Sequence, residues 1–298
     1  MRTRLTILCE NSVGAPFGVI GEHGFACFVE TESGNYLFDT GQGFGIVPNA
    51  AALKKDLGSI QSVLISHGHY DHTGGLPAVL KIKGPTDVFG HPDMFRDRVW
   101  SSGNQTRFVG MPFKKGYLES LGATFRLDVK MVEIGPGVFL TGEIPRNTPF
   151  EKGDAHMTAM DASGKTIHPD PLNDDLSLIV QTENGLVLVL GCAHAGMINI
   201  IEYVLDKMAD DRIYAIIGAE VPTWDFPATN SSRKPSRPSS TTVSIISACP
   251  IAPGWTRPPT FTPGWGSDFS SAVLGPSWKY DAVGPSRRQN ASGWPEAP

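Results

Sequence analysis

The amino-acid sequence predicts a layered α/β domain over about the first 218 of its 298 residues. Three observations predict it. Strand-like and helix-like stretches alternate, an Asn-Gly turn joins two apolar runs, and a cluster of metal-binding residue types follows directly on a short apolar strand. A chain of this length can bury a sizeable core as one large domain or two small ones. Its 25 basic and 30 acidic residues leave a formal charge of −5, which excludes a strongly basic nucleic-acid binder. No stretch approaches the roughly 18–20 apolar residues of a membrane span, so no membrane partner is expected. The first ten residues are basic but turn polar too soon for a secretory signal. Cys9, Cys27, Cys192 and Cys249 form no CxxC pair, so a disulfide framework is not expected and the reducing cytoplasm is the expected compartment.

In chain order, Phe25–Thr31 and Asn35–Asp39 read as strands joined by a turn through Glu32-Ser33-Gly34. Asn49–Leu57 reads as a helix with Asn49 as its N-cap. Ser62–Ser66 is a short apolar strand that runs into His67. Leu176–Thr182 and Leu186–Leu190 flank Glu183-Asn184-Gly185, a strong hairpin signal. Met197–Ala209 has helical spacing at Ile198, Ile201, Val204, Leu205 and Met208, and the strand Ile213–Ile217 follows.

The informative segment is Ser66-His67-Gly68-His69-Tyr70-Asp71-His72-Thr73-Gly74-Gly75. On an extended chain alternate side chains point the same way, so His67 and His69 can reach one metal. Asp71 and His72 follow as the chain turns into a helix, which aims them at a second point nearby. Imidazole and carboxylate suit Zn, Fe or Mn, and the spacing does not choose among them.

HxHxDH followed by Gly-Gly resembles the signature of the metallo-β-lactamase fold superfamily. The resemblance implies an αββα sandwich: two mixed sheets between outer helices, with a one- or two-metal site at a sheet edge. It implies that Asp39, in Phe38-Asp39-Thr40-Gly41, is a strand-end carboxylate orienting the metal loop. In such a fold His194, in Gly191-Cys192-Ala193-His194-Ala195-Gly196, is the third histidine of the His67/His69 metal, and Cys192 packs beside the site. Asp71 and His72 then belong to a second metal. Zn is the expected ion at both positions, with Fe or Mn compatible.

Further segments narrow the branch. Phe38-Asp39-Thr40-Gly41-Gln42, His91-Pro92 with Phe95 and Arg98, Thr141–Arg146, Asp174–Leu178 and the Cys192/His194 loop resemble hydrolases akin to 7,8-dihydropterin-6-methyl-4-(β-D-ribofuranosyl)aminobenzene-5′-phosphate synthase. That branch implies a phosphorylated small-molecule substrate. Arg146 is the first candidate to bind a phosphate, with Arg98 and Arg96 behind it. His91 and His156 are candidate pocket residues, His168 is expected to be exposed, and His23 is expected to be structural. The chemistry implied is ester or phosphoester hydrolysis by metal-activated water, with Asp71 as its orienting or basic residue, or departure of a metal-stabilised pyrophosphate. Two other readings stay open: a di-iron oxidoreductase of the same fold, and a metal-binding remnant without catalysis.

Composition breaks near Gly218. The last 80 residues hold no His, one of 20 Leu, 13 of 24 Pro and 5 of 6 Trp. So few aliphatics cannot offset the ordering entropy, so 219–298 reads as a poorly ordered tail. The family resembled continues after its Ile-Ile-Gly strand with Gly-x-His-Leu and later Pro-His-Cys-Thr-Gly, and both are missing. A shifted frame, each codon taking the last base of one residue and two of the next, permits Thr-His-Leu-Gly across 221–225 and Pro-His-Cys-Thr-Gly across 249–254. The tail is therefore read as a frameshifted translation. On that reading the second metal lacks part of its shell, and this chain holds as few as one ion.

Overall fold

The structure is a computed structural model and describes residues 3–13, 18–151, 153–160, 163, 167–210, 212–218, 245–247 and 272–273. The poorly ordered, frameshifted tail read from the sequence lies outside the described residues, apart from two short strands. The strands are β1 Arg4–Cys9, β2 Ala26–Thr31, β3 Gly34–Phe38, β4 Ile60–Leu64, β5 Thr86–Gly90, β6 Arg98–Ser102, β7 Gln105–Phe108 and β8 Ala123–Leu127. They continue with β9 Val132–Gly135, β10 Val138–Leu140, β11 Met157–Met160, β12 Ile167–Pro169, β13 Ser177–Thr182, β14 Gly185–Leu190, β15 Ile213–Gly218, β16 Ile245–Ser247 and β17 Ala272–Val273. The helices are α1 Ile46–Ala52, α2 Tyr70–Thr73, α3 Leu76–Lys83, α4 Lys115–Ser120 and α5 Met197–Lys207.

The first sheet has the order β17-β1-β2-β3-β4-β5-β8 and the second β16-β15-β14-β13-β10-β9. Both are mixed. In the first, β1–β2–β3 run antiparallel and β3–β4–β5–β8 parallel. In the second, β9, β10, β13 and β14 alternate in direction, whereas β14, β15 and β16 run parallel.

Side-chain alternation sorts the apolar residues into three layers. Phe25, Val29, Tyr36, Phe38 and Leu64 of the first sheet meet Val138, Leu178, Val180, Val187, Val189 and Ile217 of the second. The opposite face of the first sheet, with Phe28, Leu37, Val63 and Val88, packs on Ile46 and Ala50 of α1, Leu76 and Val79 of α3 and Leu118 of α4. Leu186, Leu188, Leu190 and Ile216 pack on Met197, Ile200 and Val204 of α5. The result is an αββα sandwich. Its strands are buried on both faces, as in β14, where all six residues are buried, which requires near-continuous apolar runs rather than alternation.

Two local expectations change. Asn49 is not an N-cap: α1 starts three residues earlier behind Gly45, and Asn49 is buried inside it. Its side chain donates to the carbonyls of Leu8 and Ile20 at 2.7 and 2.8 Å and accepts from Ile20 N at 2.7 Å. Satisfying those buried backbone groups outweighs local capping. In the β13–β14 hairpin Thr182 pairs with Gly185, so the loop is Glu183-Asn184 and Gly185 opens the strand. A small four-stranded sheet, β12-β11-β6-β7, stands beside the sandwich, and no apolar pattern announces it.

Candidate metal centre

Strands β4 and β14 end side by side, and Leu176 N donates to Ser66 O across the two sheets at 2.9 Å. The loop after β4 carries His67 and His69, and α2 carries Asp71 and His72. The turn after β14 carries Cys192 and His194. Gly191 permits this close approach, since a Cβ there would lie 2.4 Å from Ser66 Oγ.

Asp39 is the anchor. It is fully buried and left-handed at φ 59°, a conformation that Asp tolerates better than most residues. Its Oδ1 accepts from Ser66 N, and its Oδ2 accepts from Ser66 Oγ and from His72 Nδ1, all at 2.7 Å. The Ser66 hydroxyl has one proton, given to Asp39, so Ser66 Oγ accepts from His67 Nδ1 at 2.8 Å. The Nε2 atoms of His67 and His72 thereby face inward.

His67 Nε2 lies 3.0 Å from His69 Nδ1, and the His194 ring is centred 4.9 Å from both His67 and His69. Asp71 Oδ2 is 3.4 Å from His72 Nε2, and Cys192 Sγ is 3.0 Å from that nitrogen. His67, Cys192 and His194 form one group whose donor atoms lie within 4.8 Å of one another; Asp71, His72 and Cys192 form a second. The Nε2 atoms of His69 and His194 are buried with no hydrogen-bond partner, orphaned ring nitrogens where a cation fits. The structure thus brings together His67, His69, Asp71, His72 and His194. It also places Cys192 among the donors rather than beside them.

The electrostatics suit a cation. Burial, with the neighbouring imidazoles of His72, His69 and His194, holds His67 well below the usual histidine range. Burial and His194 do the same to His69, and burial and His72 bring His194 down to about 4. These rings are neutral, as metal ligands must be. Burial pushes against charge on His72 too, but Cys192, Asp71 and Asp39 override it and raise that group well above its ordinary value. Positive charge is therefore favoured at this point. Burial alone would raise the Asp71 carboxyl, yet His72 and then His23 hold it below the usual carboxylate range.

A buried ion network braces the histidine loop. Arg98 and Asp174 are almost wholly buried, and Arg98 donates to Asp174 through two nitrogens at 2.9 and 2.7 Å and to Asp170 at 2.5 Å. Asp174 Oδ2 also accepts from Gly68 N at 2.8 Å, between His67 and His69. A Cβ on Gly68 would lie 2.0 Å from Met94 O, so only glycine passes here.

The other candidates fall elsewhere. Arg146 donates to the carbonyls of His194, Pro171 and Leu172. Two of its three nitrogens are thus committed to main chain, so it braces the His194 turn instead of standing open to a phosphate. Arg98 is likewise spent on Asp170 and Asp174, and Arg96 faces Asp93 at 3.3 Å. His91 accepts from Asp93 N through Nδ1 and meets Glu143 through Nε2, so both ring nitrogens are occupied. His156 bonds Ser101 O and packs on Trp100, away from the donor groups. His23, expected to be structural, reaches Asp71 Oδ2 at 3.4 Å. Nothing local in the sequence marks it, because 48 residues separate the pair.

Two mixed sheets between helices, with overlapping donor groups at one shared edge, define a metal-site αββα protein. The chain belongs to the metallo-beta-lactamase superfamily, whose family profile matches residues 20–210. It is 29% identical over 225 residues to the 7,8-dihydropterin-6-methyl-4-(beta-D-ribofuranosyl)-aminobenzene-5'-phosphate synthase of Methanocaldococcus jannaschii, covering 72% of this chain and 76% of that one. An uncharacterized protein of the same organism is 29% identical over 209 residues, covering 67% and 73%. The crystal structure of Tm1679, a metal-dependent hydrolase of the beta-lactamase superfamily, superposes with TM-score 0.61 at 28% identity, covering 72% of this chain and 75% of that one. Among the described residues no helix is long and apolar enough to cross a membrane.

Proposed function

We propose that the chain is a metal-dependent hydrolase or transferase acting on a phosphate-containing small molecule, with a pterin phosphate as the leading candidate. The observation that carries this reading is the pair of donor groups at one sheet edge, with His194 Nε2 buried and unbonded among them. The M. jannaschii synthase, by its name, supports the substrate class. His67, His69 and His194 would hold one ion and Asp71 and His72 the other, with zinc the proposed metal and iron or manganese compatible with the same donors. Bound there, a divalent ion supplies Lewis acidity, acidifying water toward neutrality and stabilising charge on phosphoryl oxygens.

The residues of the chain do the rest. Asp71, held as a carboxylate by His72 and His23, orients water or takes its proton at Oδ2. Asp39 and Ser66 keep the His67 and His72 rings turned. Arg107, with its guanidinium 6.0 Å from the Tyr70 ring and 5.9 Å from that of Trp100, replaces Arg146 as the proposed phosphate contact. Trp100 extends that face and offers an aromatic surface to a ring-bearing substrate. No nucleic acid or membrane enters the proposal, and the cytoplasm is the proposed compartment.

The test compares His69→Ala with His156→Ala. Elemental analysis should find metal lost from His69→Ala and kept in His156→Ala, with hydrolysis of a chromogenic phosphodiester following the metal. Equal metal in the two variants would sink the assignment. For the tail, we propose that the reading frame shifts after about Gly218, on the strength of the codon compatibility across 221–225 and 249–254. Sequencing the DNA there and expressing both frames decides it: equal metal content and activity in the two would refute the shift.

A further inference from the structure

We propose that Cys192 is a metal ligand, a thiolate shared between the two metal positions. It stands in the turn after β14, two residues before His194. Its sulfur belongs to both donor groups, with His67 and His194 on one side and with Asp71 and His72 on the other. Among the described residues no other side chain is common to the two groups. A donor that two otherwise different groups share stands where an atom linking two ions must be. The second, independent observation is His194 Nε2, buried and without a hydrogen-bond partner, on a residue that has a ring nitrogen within 4.8 Å of the same sulfur. Leaving such an atom unbonded is costly unless something electrophilic meets it.

The orientation of His72 adds to this. Asp39 accepts the Nδ1 proton, so Nε2 faces Cys192 Sγ at 3.0 Å. In the metal-free protein one proton is held between that nitrogen and the sulfur. On binding, that proton passes to solvent. The sulfur and Nε2 lone pairs then both go to the cation, with no change of oxidation state. Cys9 and Cys27 differ, Cys9 being buried between the first sheet and its helices and Cys27 between the two sheets. A sulfur ligand also gives the Asp71/His72 position three donors without any residue beyond 218, and tilts the site toward zinc or cobalt over magnesium or manganese.

The inference rests on the metal-centre reading, and cobalt separates the two. The full chain is stripped with a chelator and titrated with Co(II). The expected result is visible d–d bands together with a near-ultraviolet sulfur-to-cobalt charge-transfer band. That band should vanish in Cys192→Ala, with d–d bands kept, and survive in Cys249→Ser. Zinc affinity of Cys192→Ala, by competition with a chromogenic chelator, should fall at least about tenfold, the lower end for a mere supporting residue. A d–d spectrum without charge transfer in the unmodified chain overturns the sulfur ligand and leaves the metal centre standing. No cobalt spectrum at all overturns both. Charge transfer that persists in Cys192→Ala overturns the assignment to this residue. Should Cys192→Ala not fold, alkylation of Cys192 in the unmodified chain, followed by peptide mass spectrometry, gives the answer. It should slow about tenfold or more with zinc bound, and equal rates overturn the proposal.

Discussion

Replacing Arg98 with methionine tests the brace behind the histidine loop. Arg98 is 1% exposed and its two partners, Asp170 and Asp174, are nearly as buried. Methionine keeps most of the side-chain length and removes the guanidinium. Removing one partner of a buried pair costs about 3–5 kcal/mol, because a charge is left uncompensated. Two carboxylates are left here, but each keeps one backbone donor: Gly68 N on Asp174 and Leu172 N on Asp170. The single-pair figure therefore applies, and doubling it would overshoot. Against a total stability of about 5–15 kcal/mol this is a large loss, and it corresponds to roughly 8–16 °C in Tm for 4 kcal/mol in a domain of this size. Arg98→Lys should recover only part, since an ammonium cannot fork to both carboxylates. Urea unfolding of the metal-free proteins measures the stability, and chelator competition measures zinc affinity, expected to drop about 10–100-fold because Asp174 holds Gly68 N. Arg98→Met within about 0.5 kcal/mol of the unmodified protein would refute the first part, and unchanged zinc affinity the second.

Asp39→Asn should weaken zinc binding about 10–100-fold while the fold persists, because an amide cannot accept from Ser66 Oγ and His72 Nδ1 with the same oxygen charge; unchanged affinity in a folded variant counts against it. Gly68→Ala should yield protein with little bound metal, since the new Cβ would lie 2.0 Å from Met94 O, and normal metal content contradicts this. Asp175 supplies a pH signature. Burial pushes its carboxyl from 3.8 to about 6, against the hydrogen bond from Ala195 N. The neutral form is the favoured one, so its stabilisation is complete below about pH 4 and is lost as pH rises through about 6, by about 3 kcal/mol. Asp175→Asn, which still accepts from Ala195 N, should gain that amount over the metal-free parent between pH 4 and 7.5; a pH-independent difference in urea stability would tell against the carboxyl as cause.

The legible parts were the local ones. HxHxDH is readable because four donors within six residues need only a strand end to converge, and the Asn184-Gly185 turn announces its hairpin within one residue. The β1 strand and most of 86–170 were not legible. Strand β7, Gln105–Phe108, is exposed at every residue, so no apolar period betrays it. Arg98 read as a candidate phosphate contact because its partners lie 72 and 76 residues away. Arg146 looked open to phosphate because backbone carbonyls leave no trace in a sequence. The nearness of Cys192 to both donor groups was hidden for a related reason: whether a turn residue faces donors or core depends on how the second sheet docks.

His72 and Cys192 follow strands of different sheets, β4 and β14, and lie 120 residues apart in the chain. An ion gripped by both acts as a crosslink that closes a loop of that length. A permanent link of such span removes on the order of 4–5 kcal/mol of unfolded-chain entropy in the simplest polymer account. The histidine loop can form as soon as β3 and β4 pair, early and locally. The sulfur side arrives only when β14 has seated against its neighbours. Metal uptake at full affinity therefore marks the moment when the two sheets close on each other, and an ion caught earlier is held by one half alone.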